Sequence, residues 1–82
     1  MEEKWCVYLL ECLDGSYYTG ITNNIEKRMN AHKSGKGSKY VKSRSFGKIL
    51  CSKNYPNKSE ALKAEYNIKK LSRNEKLNFF MN

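Results

Sequence analysis

The 82 residues predict an α+β domain, a three-stranded and mainly antiparallel sheet flanked by helices in the order β-β-α-β-α-α. Three features carry that expectation. A run of strand formers is broken by Asp14-Gly15, the mark of a hairpin. An Asn or Ser followed three residues later by Glu occurs at Asn23, Asn57 and Ser72, each time before a stretch of helical character. Between the first and second of these stands one further strand-like run, Ile49-Leu50-Cys51.

In order, Trp5 to Cys12 is the first strand and Tyr17 to Thr22 the second. Asn23 with Glu26 opens a helix from about Asn24 to Lys33, which Ser34-Gly35 stops. Lys33 to Ser45 is rich in Gly, Ser and Lys and is expected to be a mobile basic loop with room for one turn of helix. Lys48 to Asn54 is the third strand, closed by Tyr-Pro-Asn. Asn57 with Glu60 starts a longer helix to about Leu71, and Ser72 with Glu75 caps a last short helix ending near Met81. One domain spans residues 1–82, since a chain this short builds one core.

Loop length in the hairpin decides which side chains meet. A two-residue Asp14-Gly15 loop sends Tyr8 and Tyr18 to opposite faces. A three-residue loop, Leu13-Asp14-Gly15, puts Gly15 at the left-handed third position. Cys12 then pairs with Ser16, Leu10 with Tyr18 and Tyr8 with Gly20. Side chains alternate, so Tyr8 and Tyr18 become diagonal neighbours on one face, with Gly20 leaving room beside Tyr8. Trp5, Val7, Leu9, Tyr17 and Ile21 line the other face and are expected to form the core.

Each longer helix holds an anomaly. In the first, Ile25 and Met29 point inward while Arg28 and His32 lie along the edge, one turn apart. In the next, Ala61, Leu62, Ile68 and Leu71 mark the inward face, with Glu65 among them. A carboxylate on an apolar stripe needs a partner or a metal; the alternatives are a cation site and a rim pair with Lys69 one turn on.

Composition narrows the class. Three cysteines, Cys6, Cys12 and Cys51, and a single histidine make neither a zinc cage nor a disulfide framework; Cys12 and Cys51 are expected as buried thiols. No apolar run approaches the ~20 residues of a membrane span. The acidic start Met-Glu-Glu-Lys-Trp lacks an apolar signal region, so a cytoplasmic monomer is the expectation. The net charge is +8, and no acidic residue lies between Glu26 and Glu60. That span holds Lys27, Arg28, Lys33, Lys36, Lys39, Lys42, Arg44, Lys48, Lys53 and Lys58, a field suited to nucleic acid. Lys33, Lys36, Lys39, Lys42, Arg44 and Lys69 are the expected backbone contacts. A solvated basic surface is the plainer alternative.

Should Tyr8, Tyr18, Arg28, His32 and Glu65 converge beside this loop, they suit phosphodiester hydrolysis. Arg28 offers a planar, permanent charge to a phosphate, and Glu65 a hard oxygen to Mg²⁺. His32, or a tyrosine made more acidic by nearby cations, can take the proton, with Tyr8 the first choice and His32 assisting.

Val7-Tyr8, then Tyr18-Thr19-Gly20, then Arg28, His32 and Glu65 in that order resemble the GIY-YIG nuclease superfamily. The likeness covers nearly the whole chain and is strongest to its small stand-alone group, whose tail is similar to Glu-Tyr-Asn-Ile-Lys-Lys-Leu-Ser-Arg (65 to 73). It implies cleavage of DNA phosphodiesters, a divalent metal (Mg²⁺ or Mn²⁺) on Glu65, and catalytic roles for the two tyrosines, Arg28, His32 and Glu65. Cys6 stands where the family has glycine, and Val7 and Thr19 where it has isoleucine. The family's further asparagine has Asn74 and Asn78 as candidates. With one domain, such a nuclease is expected to read structure more than sequence. The competing reading is a nucleic-acid-binding module of the same fold with weak or no turnover.

Overall fold

The computed structural model describes residues 4–81; Met1, Glu2 and Glu3 of the acidic start, and Asn82, lie outside them. The elements are β1 (Trp5–Cys12), β2 (Tyr17–Thr22), α1 (Ile25–Lys33), α2 (Lys39–Arg44), β3 (Phe46–Tyr55), α3 (Lys58–Lys69) and α4 (Arg73–Met81). The sheet is antiparallel throughout, with β1 in the centre of the order β2-β1-β3. The α+β class and the predicted order hold, with one helix added before β3.

The hairpin takes the three-residue loop. Gly15 has φ +85°, its N–H donates to the Cys12 carbonyl at 2.9 Å and the Cys12 N–H to the Ser16 carbonyl at 2.8 Å. Asp14 accepts from the Ser16 N–H at 3.0 Å and from its hydroxyl at 2.6 Å. Leu10 therefore faces Tyr18, and Tyr8 faces Gly20.

Both faces of β1 are covered, where only the odd-numbered face was expected to be core. Val7 packs with Ala61 and Ile68 of α3, joined by Trp5, Ile21, Tyr55 and the Phe79 and Phe80 rings of α4. On the other face Tyr8, Leu10 and Cys12 pack with Met29 of α1 and Val41 of α2. The tyrosine face is thus a second small core.

Several local expectations shift. Asn24, not Asn23, caps α1, its side chain accepting from the Lys27 N–H at 3.0 Å. The segment read as a loop contains α2 because the Ser38 hydroxyl accepts from the Val41 N–H at 3.1 Å and Val41 is fully buried. β3 begins two residues early because Phe46 packs into the tyrosine-side core and Gly47 lets its backbone press against Glu11 and Cys12, where the β1–β3 register shifts. Leu62 is 45% exposed rather than inward. Cys6 and Cys12 are the buried thiols, Cys51 is half-buried, and all three are free. The caps of α3 and α4 are as predicted: Asn57 accepts from the Glu60 N–H at 2.9 Å, and Ser72 and Glu75 bond each other's backbone N–H at 2.9 and 3.3 Å.

Candidate active site

Register and helix periodicity bring three rings together. Tyr8 and Tyr18 have centroids 6.3 Å apart, and His32 lies edge-on to both, at 5.7 and 5.6 Å. The Tyr8 hydroxyl and His32 Nε2 share a buried hydrogen bond of 2.7 Å. Here the expectation of an edge histidine fails. Met29 draws α1 onto the sheet, and His32 goes under with it at 2% exposed, beside Tyr8 at 1%. Phe46 lies parallel to the imidazole at 6.4 Å. Whichever nitrogen carries the proton, Nδ1 is buried without a partner among the described residues.

Burial also sets the protonation states. It pushes the Tyr8 phenol well above its ordinary value, helped by Tyr18 and Glu65 and opposed by Arg28. Tyr8 is accordingly less acidic than a free tyrosine, contrary to the expectation that nearby cations make it a ready base; desolvation outweighs the guanidinium. Burial first, then Arg28, holds His32 below its ordinary value, so the imidazole is neutral near pH 7.

Arg28, half-buried one turn before His32, donates to the Gly37 carbonyl at 3.5 Å. Glu65 sits on the inward stripe of α3 with its side chain 18% exposed, and Lys69 Nζ lies 3.5 Å from its carboxylate. Of the five predicted residues, Tyr8, Tyr18 and His32 are in direct contact. Arg28 and Glu65 have their own partners in Gly37 and Lys69 and bear on Tyr8 only through their charge.

Lys33, Lys36, Lys39 and Lys42 are exposed. Lys33 and Lys42 flank a cleft of about 350 Å³ walled by His32 and Phe46, and Arg28 with Lys27 lines another of about 260 Å³. Arg44 bridges to Asp14 at 2.8 Å and Lys69 to Glu65. Asn74 and Asn78 are exposed on α4.

Three residues of this neighbourhood escape a reading of the sequence. Gly37 touches the His32 ring so closely that a Cβ there would overlap it. Tyr40 stacks on Tyr18 at 5.7 Å, and Phe46 backs His32. The signal available was Tyr40 itself, an aromatic in a Gly/Ser/Lys segment.

Residues 4–78 match the family model of the GIY-YIG catalytic domain. The chain belongs to the GIY-YIG family. A UPF0213 protein of Oceanobacillus iheyensis is 51% identical over 77 residues, covering 94% of this chain and 90% of that relative. One of Clostridium perfringens is 52% identical over 71 residues, 87% of this chain and 76% of the relative. The solution NMR structure of the UPF0213 protein from Bacillus halodurans is 42% identical, with a TM-score of 0.57 over 93% of this chain and 81% of that one. GIY-YIG membership places the chain in a nuclease superfamily and accounts for the two tyrosine triplets standing on paired strands. No helix among the described residues is long and apolar enough to cross a membrane.

Proposed function

We propose that the protein is a divalent-metal-dependent endonuclease that hydrolyses DNA phosphodiester bonds and selects its substrate by structure more than by sequence. The supporting observation is the contact of Tyr8, Tyr18 and His32, with the charges of Arg28 and Glu65 bearing on the Tyr8 phenol. Arg28 gives up a single long bond to Gly37 and offers its remaining donors to a phosphate. The neutral His32 makes the buried phenol useful as a base. As Tyr8 Oη accepts a proton from the attacking water, its own proton passes 2.7 Å to Nε2, so no free phenolate has to form. Tyr18, half-buried beside Tyr8, is the more exposed of the two phenols.

The donor set fits Mg²⁺ or Mn²⁺ rather than a caged metal. No cluster of three or more His, Cys, Asp or Glu side chains exists among the described residues, and Glu65 is one hard carboxylate. Mg²⁺ commonly binds through one or two carboxylates, completing its shell with water and substrate phosphate. When bound, such an ion supplies positive charge for the developing phosphorane and leaving oxygen. Lys69, exposed to solvent, must release Glu65 first. That pair is also the observation that favours the second reading, a binding module in which Glu65 is a structural rim residue.

Glu65→Gln separates the two. It keeps the shape and removes the charge, so metal-dependent cleavage should fall by at least ~10²-fold while DNA binding persists or tightens. Cleavage that survives Glu65→Gln refutes the metal role. A pure wild-type protein that binds but cuts none of duplex, flap, branched or single-stranded DNA with Mg²⁺ or Mn²⁺ establishes the binding module.

A further inference from the structure

Tyr40 has no role in holding the fold that the packing reveals. Its helix is anchored by the next residue, Val41, which is fully buried, and Tyr40 belongs to neither apolar cluster. Its ring instead continues outward from Tyr18, stacked at 5.7 Å with an interplanar angle of 29°. One turn later, the Arg44 guanidinium carbon lies 4.6 Å from the Tyr40 ring centroid. Arg44 is held in place by Asp14 of the hairpin turn at 2.8 Å, whose carboxyl stays ionised down to about pH 2 because the Ser16 hydroxyl and N–H and then Arg44 bond it. The result is a column of ring, ring and flat cation running from Tyr18 to the surface, with Tyr40 still 38% exposed.

We propose that the outer face of the Arg44 guanidinium, backed by the Tyr40 ring, forms a stacking shelf for an unpaired base of a DNA strand, next to the phosphate presented to Tyr18 and Arg28. Aromatic rings and guanidinium planes are the surfaces on which unpaired bases stack, without preference for sequence. Lys39 and Lys42 on the same short helix are exposed to hold the flanking phosphates, the pairing of basic groove and aromatic platform used for single strands. A base inside a duplex has both faces covered, so the shelf selects frayed, flapped or single-stranded positions. This rests on the nuclease reading for its location beside the site, but it is tested by binding alone.

The test compares a labelled thymidine decamer with a decamer of the same length built from abasic residues, in EDTA so that nothing is cut. Phosphate contacts are equal in the two, so any preference reports on bases. Wild type should prefer the thymidine strand by about tenfold, one stacked base's worth. Tyr40→Ala should reduce the preference to less than about twofold while retaining abasic binding, and Tyr40→Phe, which keeps the ring, should preserve it. Tyr66→Ala removes another exposed tyrosine with a cation beside it, Lys70 at 4.1 Å from the centroid, and should change nothing. Thermal melting confirms that each variant is folded, and the Tyr40→Phe protein carries the comparison should Tyr40→Ala melt early, since its ring alone must then sustain the preference. Equal wild-type affinity for the two strands, a preference that survives Tyr40→Ala in folded protein, or one lost in Tyr40→Phe overturns the proposal, and none of these bears on whether the enzyme cuts.

Discussion

Gly37→Ala tests whether the segment between α1 and α2 holds His32 in register. A Cβ at residue 37 would lie 2.8 Å from both Cγ and Cε1 of the imidazole, and nearer still to Nδ1. Carbon contacts are comfortable from about 3.5 Å, so ring or backbone must give by roughly 0.7 Å. If the ring moves, its 2.7 Å bond to Tyr8 stretches to roughly 3.4 Å, where little of it survives. If the backbone moves, Arg28 loses its carbonyl. Overpacking and the lost buried bond together predict a destabilisation of roughly 2–4 kcal/mol. The assay is a proton NMR titration of Hε1, unambiguous because the chain has one histidine, run beside a thermal melt. In the wild type, burial and then Arg28 hold the folded pKa below the ordinary 6.5. The unfolded chain binds that proton more tightly, so this contribution is fully present above pH 6.5 and is lost as pH falls from there toward the folded pKa. Gly37→Ala admits water, moves the midpoint up toward 6.5 and flattens that acid-side loss. Gly35→Ala is the control. With φ +80° its cost is backbone strain, of about 1–2 kcal/mol, and its Cβ would meet nothing closer than Lys42 Cγ at 3.6 Å, so His32 should titrate as in wild type. A Gly37→Ala protein with wild-type melting and an unmoved His32 midpoint would refute the reasoning.

Gly20→Ala places a Cβ 2.5 Å from Tyr8 Oη and 3.0 Å from Tyr18 Cε2; urea unfolding should show a loss of about 1–3 kcal/mol, and any cleavage should fall with it. Replacing Lys36, Lys39 and Lys42 together by Gln should weaken DNA binding on every sequence alike and reduce the slope of log affinity against log salt by up to about 2.7 on duplex. An unchanged slope removes these lysines from the interface. Ser38→Ala strips the cap of α2 and should cost about 1 kcal/mol by thermal melting.

Local chemistry made much of the fold legible before any coordinates. The three-residue loop suits Gly15 at its left-handed third position, and that choice, left open between two loop lengths by the sequence, set the register that puts Tyr8 beside Tyr18. The caps at Asn57 and Ser72 work because each side chain reaches a backbone N–H three residues ahead. What stayed hidden depends on contacts distant in sequence. Val41 is a lone apolar residue among lysines, and its value comes from Leu10 and Cys12 across the sheet. Phe46-Gly47 has the look of a loop until Glu11 and Cys12 press against it. His32 at the edge of a helical stripe could not be known to be buried without the closing segment around Gly37. Glu65 was legible as an anomaly, but its electrostatic reach to Tyr8 was not.

The place of β2 carries a consequence for how the sheet can grow. Tyr8 extends over Gly20 of β2 on one face, and α3, which carries Glu65, packs against β2 from the other. The β2 strand is an edge strand. Any strand added beside it, whether from an insertion, a bound peptide or a second copy, would lie along the strand that carries Tyr18 and Gly20. The open hydrogen-bonding groups of β2 are therefore an exposed edge that this architecture must keep bare. Strand addition that leaves the site intact is confined to β3, on the far side of the sheet.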